Sequence, residues 1–225
     1  MRTAAILPVK RFSEAKQRLG ASVADALRAD LARAMVGDVL SALDRCAALE
    51  LTVVVTNERT VAAAARYLGA IVIEDIHETG QSAAVALGIA QAVEQGVERV
   101  LCVPGDCPAL DPAEVDALLE ETDRDGAAVV VVPDRHGTGT NGLLLSPPAA
   151  IEPSFGPDSC ERHRELARAA GAACRVEPLP SLLLDIDTGE DLAVLRERLA
   201  GARIGAPRTR AVLGLAGVDH PSRAA

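Results

Sequence analysis

Asp106 closes a strand-forming run, Val100-Leu-Cys-Val103, and is followed by Cys107-Pro-Ala-Leu110-Asp-Pro112. A buried strand that delivers a carboxylate at its C-terminal end, as the chain turns toward a helix, places it where open α/β sheets hold ligands. A second delivery comes late in the chain. Leu182-Leu-Leu-Asp185-Ile-Asp187-Thr-Gly-Glu-Asp191 is another apolar run ending in acids and followed by a helix start. Two carboxylate-bearing strand ends in one parallel sheet can face one crevice, and hard oxygen ligands suit Mg²⁺ carrying phosphates. The chemistry to expect is phosphate handling with a divalent metal.

Cations stand near the first strand. Lys10 follows Ile6-Leu-Pro-Val9, and Lys16 and Arg18 come soon after. There a lysine acts as a point charge and an arginine as a bidentate fork on a triphosphate, while a solvated basic loop is the plain alternative. Neither G-x-x-x-x-G-K-[ST] nor G-x-G-x-x-G after the first strand occurs, which excludes a Walker loop and counts against a standard dinucleotide fold. Gly137-Thr-Gly-Thr140-Asn141-Gly142 can offer backbone N–H groups and a hydroxyl to an anion, or form a plain hairpin turn. Ser159 can cap the helix expected over 160–170, and such a helix start is also an anion site. His163 on that helix reads as a polar surface or pocket-wall residue, Cys107 as a core thiol rather than a nucleophile. Glu74-Asp75 and Glu120–Asp125 read as solvated acids.

The elements that position these residues follow from patterning. Strand-like runs lie at Ala4–Val9, Leu51–Val55, Ala70–Ile73, Val100–Val103, Ala127–Val132, Gly142–Leu145 and Leu182–Ile186. Helical spacing fills most of the gaps, from a Ser22 cap to about Cys46, over Thr60–Leu68 and Ser82–Gln95, and from Asp111-Pro112 onward. A further helix runs from the Thr188 cap through Leu199. This alternation predicts a three-layer α/β fold, a mostly parallel sheet with helices on both faces. One domain is expected over 1–205, with a peripheral or partly disordered tail over 206–225.

The 225 residues are 49% hydrophobic with no Trp, one Tyr and two Phe, so the core must be aliphatic. A net charge of −9 argues against nucleic acid as a partner, yet a few local cations are enough for a nucleotide. No segment has the roughly 18 apolar residues that span a bilayer. The five cysteines form no C-x-x-C pair. A cytoplasmic protein without disulfides is expected, and a homo-oligomer is compatible with the sequence.

Over roughly residues 1–200 the chain resembles the guanylyltransferases of coenzyme F-420 biosynthesis, which activate 2-phospho-L-lactate or phosphoenolpyruvate with GTP. The resemblance is carried by Leu7-Pro-Val-Lys10 with Ala15-Lys16-x-Arg18-Leu19, Asp106-x-Pro-Ala-Leu110, Pro133-Asp-Arg-x-Gly137-Thr-Gly-Thr140-Asn141, Ser154-Phe-Gly156-Pro-Asp-Ser159 with Arg162-His163, and Leu184-Asp185-Ile-Asp187-Thr188. It implies a nucleotide-diphospho-sugar-transferase-like domain, Mg²⁺ dependence, and acceptor contacts from Thr140, Gly156 and Ser159, with Asn141 in the same motif. It further implies metal ligation by Asp106 and one acid of the Asp185/Asp187 pair, with Asp187 favoured. Gly80-Gln-Ser82 stands where the family's nucleotide loop has a Gly-Leu-Asn-like pattern, so only backbone contact at Gly80 is carried over. The partners expected are GTP and a small phosphorylated carboxylic acid. Phosphoenolpyruvate is preferred because the Ala/Arg/Gly-rich composition suggests a high-GC bacterium, and bacterial members use it. Another phosphorylated acceptor, or a nucleotide-binding protein without turnover, are the competing readings.

Overall fold

Short aliphatic runs form the strands of a single sheet, flanked by helices that bury their apolar stripes on it. The computed structural model describes residues 1–12, 25–76, 78–201 and 205–215. The strands are β1 (Thr3–Val9), β2 (Leu51–Thr56), β3 (Ile71–Ile73), β4 (Arg99–Cys102), β5 (Val129–Pro133), β6 (Thr140–Leu145) and β7 (Cys174–Val176). Their order is β3-β2-β1-β4-β6-β5-β7. Only β6 runs against its neighbours β4 and β5, while the β1–β2, β1–β4, β2–β3 and β5–β7 pairs are parallel.

Side-chain alternation along β1 shows how the layers form. Ala5, Leu7 and Val9 face one layer with α1 (Asp25–Leu43), α2 (Arg59–Tyr67) and α4 (Pro112–Asp125). Ala4 and Ile6 face the other, with α3 (Gln81–Glu94) and α5 (Ser159–Ala169). The close seating of α3 depends on Gly88, where a Cβ would stand 2.4 Å from the Ile6 Cγ2. Asp111 caps α4 by accepting from the Ala113 N–H at 3.0 Å, with Pro112 as the first helical residue, as its sequence predicts. Among the described residues no helix is long and apolar enough to cross a membrane.

Two expectations are corrected. Leu182–Ile186 is not a strand but an irregular segment, and the seventh strand is instead Cys174–Val176 at the sheet edge. Leu182, Leu184 and Ile186 are apolar because they pack, not because they pair: Leu184 and Ile186 cluster with Leu31 and Met35 of α1 and with the buried face of α6 (Gly189–Gly201). The chain after residue 205 is not peripheral over its described part. Pro207–Val212 forms α7, whose Thr209 is fully buried. Asp38 of α1 accepts from the Arg208 and Thr209 N–H groups at 3.0 and 2.8 Å, so a carboxylate from a distant helix satisfies the start of α7. The expected Ser22 cap and residues 216–225 lie outside the described residues.

Candidate active site

The C-terminal ends of β1, β2, β4 and β5, with the N-terminal end of the reversed β6, share one edge of the sheet. They open onto a cleft of about 800 Å³. Lys10, Gly80, Asp106, Thr140, Asn141, Gly156, Ser159, Asp185 and Asp187 all line it. Every described residue expected to act is therefore in one place. Lys16 and Arg18 lie outside the described residues.

One wall is built from the β5–β6 connection and the start of α5. The connection is a hairpin, the plainer of the two readings of its glycines. Asp134 organises it by accepting from the His136 and Thr138 N–H groups at 3.1 and 2.9 Å. The hairpin also contributes to the cleft, because the Thr138 carbonyl accepts the Cys160 N–H at 3.0 Å and so ties it to α5. Ser159 is the first residue of α5 and only 1% exposed; Asp158, in a left-handed conformation with φ 56°, holds the capping position. Ser159 therefore does not hold the helix-cap position, and it lines the cleft as the first residue of α5. Gly156 has φ 115°, and a Cβ there would meet nothing closer than an Arg162 nitrogen at 3.9 Å. Backbone conformation, rather than space, requires glycine at this position.

Behind that wall the chain is tightly braced. Arg162 Nε donates to the Ser154 carbonyl and hydroxyl at 3.2 and 2.8 Å, and its terminal nitrogen donates to the Pro157 carbonyl at 2.9 Å. The Ser82 hydroxyl accepts the Phe155 N–H at 2.8 Å. Ser82, a departure from the nucleotide-loop pattern, thus anchors the loop that carries Gly156. Gly80 begins α3 from φ 124° with no side-chain cap, and it leaves the helix start facing the cleft.

The acids form the floor. Asp185 Oδ1 accepts from Asn141 Nδ2 at 3.1 Å, and the same nitrogen donates to the Leu182 carbonyl at 2.7 Å. Both amide hydrogens of Asn141 are thereby committed to holding the acidic segment. The Ile186 N–H donates to the Asp106 carbonyl at 3.2 Å, joining the two acidic deliveries through the main chain. Asp191 accepts from the Asp187 and Thr188 N–H groups at 3.1 and 2.7 Å and from the Thr188 hydroxyl at 2.8 Å. Thr188 Oγ1 in turn accepts the Asp191 N–H at 3.2 Å, completing the expected cap of α6. Burial works against the Asp191 charge. The Thr188 and Asp187 hydrogen bonds and Arg135, paired at 2.8 Å, outweigh it and hold the carboxyl below its ordinary range.

Asp185 shifts the other way. Burial first, then the charges of Asp106 and Asp187, raise its pKa, with Asn141 opposing. Among the described residues no three His, Cys, Asp or Glu side chains form a ready metal cage. Mg²⁺ is commonly held by one or two carboxylates plus substrate phosphates rather than by an all-protein cage. Partly buried carboxylates that repel one another are relieved by a hard cation, so this donor set fits the ion.

Several contributors were not legible in the sequence. His163 is neither surface nor pocket wall: it is fully buried behind the cleft. Asp75, read as a solvated acid, lines the cleft with Arg11, Asn57 and Glu78. Asn57 Nδ2 donates to Glu78 at 2.6 Å and Arg11 Nε pairs with it at 2.7 Å, which together hold that carboxyl below its usual range. Cys107 is buried with its thiol 3.7 Å from the Leu182 carbonyl, a core position rather than a nucleophile's.

Comparisons with known proteins give the family and the fold. Residues 3–198 match the family model described as guanylyl transferase CofC like. The phosphoenolpyruvate guanylyltransferase of Conexibacter woesei is 49% identical over 213 residues, covering 95% of this chain and 96% of the relative. The 3-phospho-D-glycerate guanylyltransferase of Phenylobacterium zucineum is 37% identical, covering 88% of this chain and 92% of the relative. A solved structure from Desulfovibrio desulfuricans G20, named for the nucleotide-diphospho-sugar transferases, covers 95% of each chain with a TM-score of 0.76. At 19% identity that likeness speaks to the fold alone. This chain belongs to the guanylyl transferase CofC-like family.

Proposed function

We propose that the protein transfers GMP from GTP to phosphoenolpyruvate, giving enolpyruvoyl-2-diphospho-5'-guanosine and pyrophosphate, a step in coenzyme F-420 biosynthesis. The observation that carries this reading is the convergence, in a member of this family, of an acidic floor and a hydroxyl-bearing wall on one cleft. Asp106, Asp185 and Asp187 supply the floor, and Thr140 and Ser159 the wall. The substrate is preferred because the relative at 49% identity is a phosphoenolpyruvate guanylyltransferase.

A phosphoenolpyruvate oxygen attacks the α-phosphorus of GTP, the bond to the bridging oxygen of the β-phosphate breaks, and pyrophosphate leaves. The phosphate monoester is already anionic at neutral pH, so the chain need supply no strong base. Its task is to position two anions and offset their repulsion. Asp106 and Asp187, with Asp185 alongside, would hold Mg²⁺, which supplies positive charge to the reacting phosphates. Lys10, with Lys16 and Arg18, neutralises the departing pyrophosphate. Thr140, Ser159 and the Gly156 backbone receive the acceptor. A surplus of acid overall is no obstacle, because these cations act locally.

The test is to incubate the protein with Mg²⁺, GTP and, separately, phosphoenolpyruvate, 2-phospho-L-lactate or 3-phospho-D-glycerate, and to weigh the products. The highest kcat/KM is expected with phosphoenolpyruvate. A decisive preference for either other acid would move the assignment to that acceptor, and release of pyrophosphate with none of them would refute it.

A further inference from the structure

Behind the hydroxyl-bearing wall lies an imidazole that does not line the cleft. His163 stands four residues after Ser159 on α5 and is 0% exposed. Its Nε2 lies 2.9 Å from the Ser154 backbone nitrogen, and its Nδ1 lies 3.1 Å from Thr140 Oγ1. The direction of the two hydrogen bonds follows from chemistry. A backbone N–H can only donate, so Nε2 must be the bare nitrogen that accepts. A neutral imidazole then carries its one proton on Nδ1, which donates to the Thr140 oxygen. Protonating the ring would set an Nε2–H against the Ser154 N–H. Burial first, then the neighbouring Arg162 charge, pushes the pKa of His163 down to about 4, so the ring is neutral near pH 7. Phe155 packs against it edge-to-face, with ring centroids 5.2 Å apart.

The consequence reaches the cleft. An oxygen that accepts from His163 keeps its own hydrogen for another partner, and Thr140 lines the cleft. We propose that His163 is a positioning residue that fixes the Thr140 hydroxyl as a donor toward the acceptor's anionic oxygens. This rests on the assignment of Thr140 to the acceptor made above. It identifies a feature of specificity: the wall offers the ligand a hydrogen, so it favours a carboxylate or phosphate oxygen over a hydroxyl presented as a donor.

Two substitutions separate the bonds. His163→Asn places an amide N–H near Nδ1 and can still donate to Thr140. His163→Gln places an amide near Nε2, where it can accept from Ser154 but not donate to Thr140. The expected result is an acceptor KM raised about tenfold by His163→Gln, with GTP KM unchanged, and at most about a threefold change for His163→Asn. Combining His163→Gln with Thr140→Val should add nothing to the larger single effect, because both remove one donation. Additive effects, equal losses from both His163 variants, or a lowered melting temperature with unchanged acceptor KM would overturn the proposal. Nitrogen NMR of the ¹⁵N-labelled wild-type protein tests it without any variant or substrate. Nδ1 should be the protonated, pyrrole-type nitrogen and Nε2 the bare one, and the reverse assignment would refute the proposal. Failure of the wild-type protein to turn over any acceptor would instead count against the functional reading, leaving the tautomer measurement to decide the role of His163.

Discussion

Asp106 and the Asp185/Asp187 pair reach the same cleft floor by different constructions. Asp106 follows β4, whose residues pair with β1 on one side and β6 on the other, and the ladder continues as the Val103 N–H donates to the Ile6 carbonyl at 3.0 Å. Its place is set by the whole sheet. Asp185 and Asp187 sit on a segment with no ladder, held by Asn141, the Asp106 carbonyl and Asp191. A carboxylate at a strand end is positioned cooperatively, whereas one on an irregular segment depends on a few polar braces. Substituting a brace should therefore disturb metal geometry more selectively than global stability.

The largest effect is expected at Asp106 itself. Asp106→Asn should lower kcat by about 10²–10³-fold, the usual cost of removing one preorganised electrostatic stabiliser, with the melting temperature nearly unchanged. Steady-state rates at saturating Mg²⁺ check this, and near-normal turnover would return Asp106 to a structural role.

Asn141→Ala tests the braced side. It removes two hydrogen bonds and leaves the Leu182 carbonyl without that partner, a cost of roughly 1–3 kcal/mol in stability. The Mg²⁺ concentration for half-maximal rate should rise as well. Urea unfolding and a Mg²⁺ titration measure the two together. A stability loss with an unchanged Mg²⁺ requirement would show that Asp185 and Asp187 do not serve the metal.

The raised pKa of Asp185 gives the comparison a pH dependence. A carboxyl whose folded pKa lies above its unfolded value stabilises the fold at low pH, and that stability is lost as pH rises through the folded pKa. Mg²⁺ should offset this loss once Asp185 is ionised. The ion should thus raise the melting temperature at neutral pH and do little near the ordinary carboxyl value of 3.8. Equal Mg²⁺ stabilisation across this range would contradict the assignment of the floor.

Ser159→Ala should give the smallest effect. Because Asp158 and not Ser159 occupies the capping position, the roughly 1 kcal/mol stability loss of a missing cap is not expected. Acceptor binding should weaken by about 0.5–1.5 kcal/mol. Acceptor titration beside thermal melting separates the outcomes, and a stability loss without an affinity change would assign the hydroxyl to the fold.

What was legible in the sequence was local. Aliphatic runs announced six of the strands because β propensity and burial act together there, and Asp111-Pro112 and Thr188 announced helix starts because a cap and its helix are sequence neighbours. Leu182–Ile186 misled because an apolar run records burial, not pairing; Leu182, Leu184 and Ile186 are buried in the core clusters. The strand Cys174–Val176 escaped because its three edge residues include two exposed ones. The braces were invisible for a different reason. Ser82 with Phe155, His163 with Thr140 and Asn141 with Asp185 join residues far apart in the chain, and no spacing rule connects them before the fold is known.

The central claim is that the acidic floor and the hydroxyl-bearing wall bring GTP and a phosphorylated acid together at one cleft. Phosphorus NMR of the protein with Mg²⁺, GTP and phosphoenolpyruvate tests it directly. The account predicts a new diphosphodiester, joining the GTP α-phosphorus to the acceptor phosphorus, that grows in step with pyrophosphate, and a loss of both signals in Asp106→Asn. GMP accumulating with pyrophosphate but no diphosphodiester, or undiminished diphosphodiester formation by Asp106→Asn, would contradict it.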